Sequence, residues 1–289
     1  MVTTNYDGSA DFATGSSANI PHLVVNDVGF ARQPDHVADV SRFLRERGAL
    51  KVKLRFKDDT SRYLHDMILG LHEHHGHGLP ITHSASRGWF WDVRPNSTIF
   101  QSQMVQARSE TMQDFPWHTD CSYEGSPPRF FALQVLQPDR CGGGTLSVMN
   151  VKRLLSLLSP STTASLLKPE YLITVPSEFC KNETQRHIIG SILAADECSH
   201  QPSMVRFRED LLTPLSAGAC AALQELKQCL LGSDARKEII HLTPEALPQG
   251  SILLLDNRQW LHARNDIKDP ERHLRRVRWD ARPFQALCD

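Results

Sequence analysis

The most regular pattern in the chain is the alternation Ala49 to Phe56, ALKVKLRF. Leu50, Val52, Leu54 and Phe56 fall on one side and Lys51, Lys53 and Arg55 on the other, which predicts a half-buried strand. Helical spacing flanks it. Asp35 to Arg47 puts Val37, Val40 and Leu44 on one face and stops at Gly48, and Asp59 to His75 groups Leu64, Met67, Ile68 and Leu71. After Gly88 the texture changes to short apolar runs divided by turn residues: TIFQSQMVQ, RFFALQVL, TLSVM, YLITV, HIIGSIL, MVRF, EIIHL, GSILLLD and LRRVRWD. Two helical stretches interrupt them. One is Val151 to about Leu167, broken at Pro160. The other is Ser216 to Leu231, with Ser216 as N-cap. Many short strands with Gly- and Pro-rich turns predict a mainly β jelly roll with helices packed on its outside. Residues 1–20, rich in Ser, Thr, Ala, Gly and Asn, predict a flexible tail, and 21–289 a single domain.

Composition narrows the classes. In 289 residues, 32 basic and 33 acidic side chains nearly cancel, so no nucleic-acid partner is expected. No apolar run reaches membrane-spanning length, and the N-terminus lacks the basic start and apolar stretch of a secretory signal. Seven cysteines, an odd number without a CxxC, fit reduced thiols in a cytoplasmic protein and argue against a thiolate zinc site. Homo-oligomerisation is left open.

Candidate chemistry begins at DFPWHTDCSY, where His118 and Asp120 are two residues apart. With 14 histidines and 33 acidic residues, chance supplies about 1.6 His-x-acid pairs, so the spacing alone is no evidence of a metal and a surface pair is the plainer reading. On a strand the two share a face and can bind one cation. A further ligand is available in His262, at the end of the apolar run GSILLLDNRQWLHARN, although a satisfied core histidine would look the same. Two histidines and one carboxylate leave open positions on Fe(II) for a cosubstrate and dioxygen. Arg272, Arg275, Arg276 and Arg278 follow soon after, suited to a bidentate carboxylate clamp, though an arginine run is more often a solvated face. CGGGTLSVMN offers a tight turn and the Thr145 hydroxyl. The histidine-rich LHEHHGHGLPITH looks like a metal tract but is not HExxH, and reads as a polar helix end and loop.

Each element is weak alone, but their order is informative. WHTDCSY, PPRFFALQVL, GGGTLSV, GSILLLDNRQWLHAR and RHLRRV, in that sequence, resemble the TauD/TfdA family of Fe(II)- and 2-oxoglutarate-dependent dioxygenases over roughly Leu50 to Phe284. The resemblance implies a double-stranded β-helix of the cupin-like kind, with His118, Asp120 and His262 on iron. It further implies Thr145 and Arg272 on 2-oxoglutarate, and Arg276 on an anionic group of a small-molecule substrate. Adjacent Arg275 leaves the choice between the two arginines open. Trp89, Phe90, Trp91 and Arg94, in the aromatic segment before the His-x-Asp strand, are further substrate-binding candidates, equally readable as core contacts. Asp120 argues for oxygenation over halogenation, because it fills the position that chloride takes in halogenating relatives. Cys121 departs from the expected pattern, and its place beside the ligands reads as packing or as a target of oxidation. Other readings are a catalytically silent jelly-roll binding protein, a JmjC-like protein demethylase (whose usual lysine clamp is replaced here by arginines) and a cupin-like isomerase.

Overall fold

The structure, a computed structural model, describes residues 20–82, 88–95, 107–180, 186–195 and 201–284. The expected N-terminal tail and the run TIFQSQMVQ lie essentially outside these residues.

A six-stranded sheet forms the frame, in the order His22–Val25, Ala49–Leu54, Ser251–Asp256, Pro128–Gln137, His273–Ala281 and Trp91–Val93. The first pair is parallel and the others antiparallel. A four-stranded antiparallel sheet, Ile240–Leu242, Leu146–Asn150, Trp260–Arg264 and Phe115–His118, lies against it. The two sheets make the jelly-roll layers and are not closed into a barrel.

Residues directly opposite in an antiparallel pair share a face, so register assigns the layers. Val52, Ile252, Leu254, Ala132, Phe130, Val277 and Trp279 face outward and pack against the helices Pro34–Arg47 and Arg62–His75 through Val37, Val40, Leu44, Leu64, Met67, Ile68 and Leu71. Leu253, Leu255, Phe131, Val135, Leu274, Trp91 and Val93 face inward and meet Leu146, Val148 and Trp260 of the smaller sheet. With both faces covered, every residue of Ser251–Asp256 is buried, which accounts for its unbroken apolar run. A separate apolar cluster joins the outer side of the smaller sheet, at Met149 and Leu261, to the helix Ala217–Leu231.

The strand read from ALKVKLRF is present, with Leu50 and Val52 fully buried. Gly48 adopts φ 63° and its N–H donates to Leu44 O, closing the first helix where expected. Ser216 caps its helix through Ala219 N–H, and Ser159 caps the helix that starts at Pro160. The second helix starts later than its pattern suggests, at Arg62. The Asp58 carboxylate accepts the N–H groups of Arg62 and Tyr63, and the chain turns through Ser61 at φ 60° before entering the helix. The histidine-rich segment is the end of that helix and a loop, with the His77 ring stacked on Phe130 and accepting the Trp279 indole N–H. His83 lies outside the described residues. Among the described residues no helix is long and apolar enough to cross a membrane, and the described cysteines 121, 141, 180, 220 and 229 are free thiols.

Candidate metal centre

Strand pairing brings the two histidines together. His262 on Trp260–Arg264 stands opposite His118 on the neighbouring edge strand Phe115–His118, with ring centroids 4.1 Å apart. Asp120 lies just past the strand end, and its carboxylate Oδ1 is 3.8 Å from His262 Nε2. One ligand atom from each of His118, Asp120 and His262 lies within 4.8 Å of the others, and all three side chains are buried. Among the described residues no other group of three such side chains comes together.

The surroundings hold His118 and Asp120 by polar contacts and His262 by ring packing, its buried Nδ1 having no hydrogen-bond partner. His118 donates its Nδ1–H to Pro116 O at 2.7 Å, which leaves Nε2 with its lone pair for a cation. Its ring stacks on Phe115, with centroids 3.6 Å apart, and the His262 ring lies against Phe131. Burial, and then the charge that a protonated His262 would add, hold the His118 imidazole well below its usual range, so it is the neutral form that a metal needs. For Asp120, burial alone would raise the carboxyl. Arg276, followed by His262 and Arg278, outweighs it and keeps the group ionised. Asp120 Oδ2 makes no hydrogen bond, an unusual state for a buried carboxylate oxygen. Two imidazoles, one ionised carboxylate and this unsatisfied oxygen fit a ferrous ion.

Asn257, in the DNRQW segment, was not singled out from the sequence. It is 1% exposed and brackets the ligand: its Oδ1 accepts Asp120 N–H at 2.7 Å, while Nδ2 donates to Asp120 O and Pro128 O, each at 2.9 Å. An Asn near a candidate ligand strand is too common a feature for sequence to flag.

The arginines separate by face. Arg276 stands opposite Trp91 and Leu133, points inward, and places Nη1 3.4 Å from Asp120 Oδ1. Arg275 points outward, bound to Asp92 at 2.9 Å and to Asp59 O. Arg278 also points inward, donating to Cys121 Sγ at 2.6 Å and lying 3.9 Å from Asp120 Oδ2. Cys121 itself takes a left-handed φ of 54°, and burial pushes its thiol up. Cys121 and Tyr123 both line the triad cavity, and Tyr123 stacks on Phe179.

Arg272 precedes this strand and is 5% exposed, with Nη1 lacking a hydrogen-bond partner. Burial, and then the neighbouring charge of Arg264, lower its guanidinium to about 9. Its stem lies against the glycine turn. A Cβ on Gly144 would fall 2.9 Å from Arg272 Nε, and one on Gly143 2.6 Å from Asp266 O. Thr145 follows directly, half-buried, with its N–H held by Asn265 Oδ1. The structure thus sets Thr145 and Arg272 on adjoining segments, with one buried guanidinium nitrogen left without a hydrogen-bond partner.

The aromatic segment divides. Trp91 lies on the inner face beside Arg276, and its indole N–H donates to Glu110 Oε1 at 2.7 Å. Trp89 stacks on His65 with centroids 5.3 Å apart, and with Phe90 it packs against the outer helical layer. Arg94 is exposed and borders a surface cavity shared with Arg140 and Arg272. Trp89 and Arg94 therefore do not line the triad cavity, and neither does Trp91, although it stays on the inner face. Turn geometry at Gly88 and Trp89 carries the first to the far side of the sheet, and the strand end carries the second to the surface.

The sequence model of the family described as taurine catabolism dioxygenase TauD, TfdA family, matches residues 32–278. The chain belongs to the TauD/TfdA family of iron- and 2-oxoglutarate-dependent dioxygenases. L-asparagine oxygenase from Streptomyces coelicolor is 28% identical over 153 residues, which is 52% of this chain and 42% of that enzyme, so the match spans less than half the relative's length. Among solved structures, asparagine oxygenase in complex with Fe(II), 2S,3S-3-hydroxyasparagine and succinate superposes with a TM-score of 0.66 at 19% identity, covering 90% of this chain and 93% of that one. The non-heme iron oxygenase OrfP in complex with Fe, succinate and (3S)-hydroxy-L-Arg gives 0.60 at 18% identity, covering 87% and 84%. These structural likenesses establish the jelly-roll fold expected from the strand pattern.

Proposed function

We propose that the protein is an Fe(II)- and 2-oxoglutarate-dependent oxygenase that oxidises a C–H bond of a small anionic substrate of the amino-acid class. The observation that carries this reading is the buried His118–Asp120–His262 cluster, with Arg272 buried and unsatisfied beyond it. His118, Asp120 and His262 hold the iron. Thr145 and Arg272 take the distal carboxylate of 2-oxoglutarate, where a guanidinium fork gives a two-point contact. Bound together, iron, 2-oxoglutarate and dioxygen supply the oxidant, with succinate and carbon dioxide as coproducts. Arg276 binds the substrate's anionic group beside the metal, and Trp91 packs at its flank. Burial keeps water from the reacting centre. The amino-acid class is supported by the relatives, one an asparagine oxygenase and another crystallised with a hydroxylated arginine.

The decisive experiment uses anaerobically purified protein. Calorimetry is expected to show 2-oxoglutarate binding only with Fe(II) present, lost in His118→Ala, and oxygen is then expected to yield succinate when an amino acid is supplied. Iron binding unchanged in His118→Ala would overturn the metal assignment. Iron-dependent 2-oxoglutarate binding with no succinate from any substrate would instead favour the silent binding protein.

A further inference from the structure

The cavity in front of the triad has a wall rich in arginine. Arg108, Arg208, Arg276 and Arg278 line it, and among the described residues Asp120 is the sole carboxylate of that lining, while Asp114 and Asp210, outside it, pair with Arg108 and Arg208. A metal on Asp120 would draw on the charge that faces Arg276, whose Nε already lacks a hydrogen-bond partner within the protein. A buried cation in that position calls for an anion from the substrate. Arg276 meets one such group in the reading above, on which this inference rests.

Arg208 has a construction of its own. An isolated β-bridge joins its backbone to His118, and the preceding Phe207 exchanges hydrogen bonds with Thr119, between the two metal ligands. The side chain is only 13% exposed, and its guanidinium lies over Phe115, 5.5 Å from the ring centroid. Asp210 takes one edge of the fork, at 2.9 Å from Nε and 2.8 Å from Nη2. A guanidinium has two such edges. Asp210 thereby locks the orientation of Arg208, and the edge formed by Nη1 and Nη2 remains for a second partner.

We propose that Arg208 is a specificity-determining residue and that the substrate carries a second carboxylate-like group, bound by this remaining edge. The preferred class is then an acidic amino acid or a dicarboxylate, with one acid on Arg276 and the other on Arg208. An amide of the same shape offers one acceptor and no charge, so it makes a weaker contact at a fork.

The test compares matched pairs, L-aspartate with L-asparagine, L-glutamate with L-glutamine, and aliphatic dicarboxylates with their monoamides. Protein loaded with Fe(II) and 2-oxoglutarate is assayed for succinate release and for binding under anaerobic conditions. The wild type is expected to favour the acid of at least one pair by tenfold or more in KM. Arg208→Gln is expected to collapse that ratio towards unity, and Arg208→Lys to retain an intermediate preference, since charge stays but the fork is lost. If Arg208 acts only by packing on Phe115 and His118, its loss weakens acid and amide alike and leaves the ratio unchanged, which overturns the inference. A wild type that prefers the amides overturns it too. No response to any compound overturns it together with the amino-acid class, while iron-dependent 2-oxoglutarate binding would still uphold the metal and 2-oxoglutarate sites. Folding of each variant is checked by circular dichroism and by that same 2-oxoglutarate binding.

Discussion

Replacing Asn257 by Ala removes a bracket that holds the metal ligand by its backbone. Three buried groups lose their partner at once: Asp120 N–H, Asp120 O and Pro128 O. A buried polar group left unsatisfied costs about 1–3 kcal/mol. Some relief from relaxation or a trapped water is expected, so the total should be about 3–5 kcal/mol. For a protein of this size each kcal/mol lowers Tm by about 2–4 °C, giving a fall of roughly 10 °C. The functional effect is separate. Groups that orient a ligand without touching the metal typically change metal affinity by about 10–100-fold when removed. Thermal unfolding of the metal-free protein reads the first effect, and anaerobic Fe(II) titration at a temperature where the variant is folded reads the second. The conservative Asn257→Asp keeps the acceptor but loses the donor and adds a negative charge in the interior, and it should be no more stable than Asn257→Ala. A Tm within 2 °C of wild type, with iron affinity within twofold, would refute the idea that Asn257 positions Asp120.

Other consequences are open to direct measurement. Arg272→Gln should weaken 2-oxoglutarate binding by about 100-fold, since charge-assisted bonds to a buried guanidinium contribute about 1.5–3 kcal/mol each, while iron affinity changes little; equal 2-oxoglutarate affinity in both proteins would remove Arg272 from the clamp. Arg275→Gln, by contrast, removes outer-face contacts to Asp92 and Asp59 O, and stability should fall by about 1–3 kcal/mol with KM for 2-oxoglutarate unaltered. Asp139 is a structural acid: burial pushes its carboxyl up, but the N–H groups of Lys268, Gly143, Cys141 and Asp269 outweigh this and hold it below its ordinary value. Its folded pKa is depressed, so its contribution is complete above the unfolded value of about 3.9 and is lost as pH falls through the folded one. Acid denaturation followed at 222 nm should show a shallower limb below about pH 4 in Asp139→Asn.

Much of the frame was legible because periodicity and burial agreed. Leu50, Val52 and Leu54 alternate and are buried, and Gly48 ends a helix at the position where a left-handed residue is required. The iron ligands were legible only as a set, through their order along the chain. What sequence cannot carry is register. Arg275 and Arg276 are neighbours with the same chemistry, and it is pairing with Asp92 or with Trp91 that sends one outward and the other inward. The same limit explains Trp89 and Trp91: they are two residues apart and equally aromatic, yet one ends on the helical layer and the other in the interior. The start of the second helix was displaced because Asp58 captures two N–H groups, a local side-chain contact that hydrophobic spacing does not encode.

The edge strand Phe115–His118 is short, holds Pro116, pairs along one side with Trp260–Arg264, and on the other meets a single bridge from His118 to Arg208, continued by the Thr119–Phe207 hydrogen bonds. His118 sits on that strand and His262 on its neighbour, so an ion shared between them is also a clasp across the margin of the sheet. Loss of iron would then do more than silence the chemistry: it would loosen this edge strand, and with it the turn bearing Asp120. Supply of the metal and integrity of this margin become one property, so scarcity of iron would be registered by the protein first as fraying at that edge.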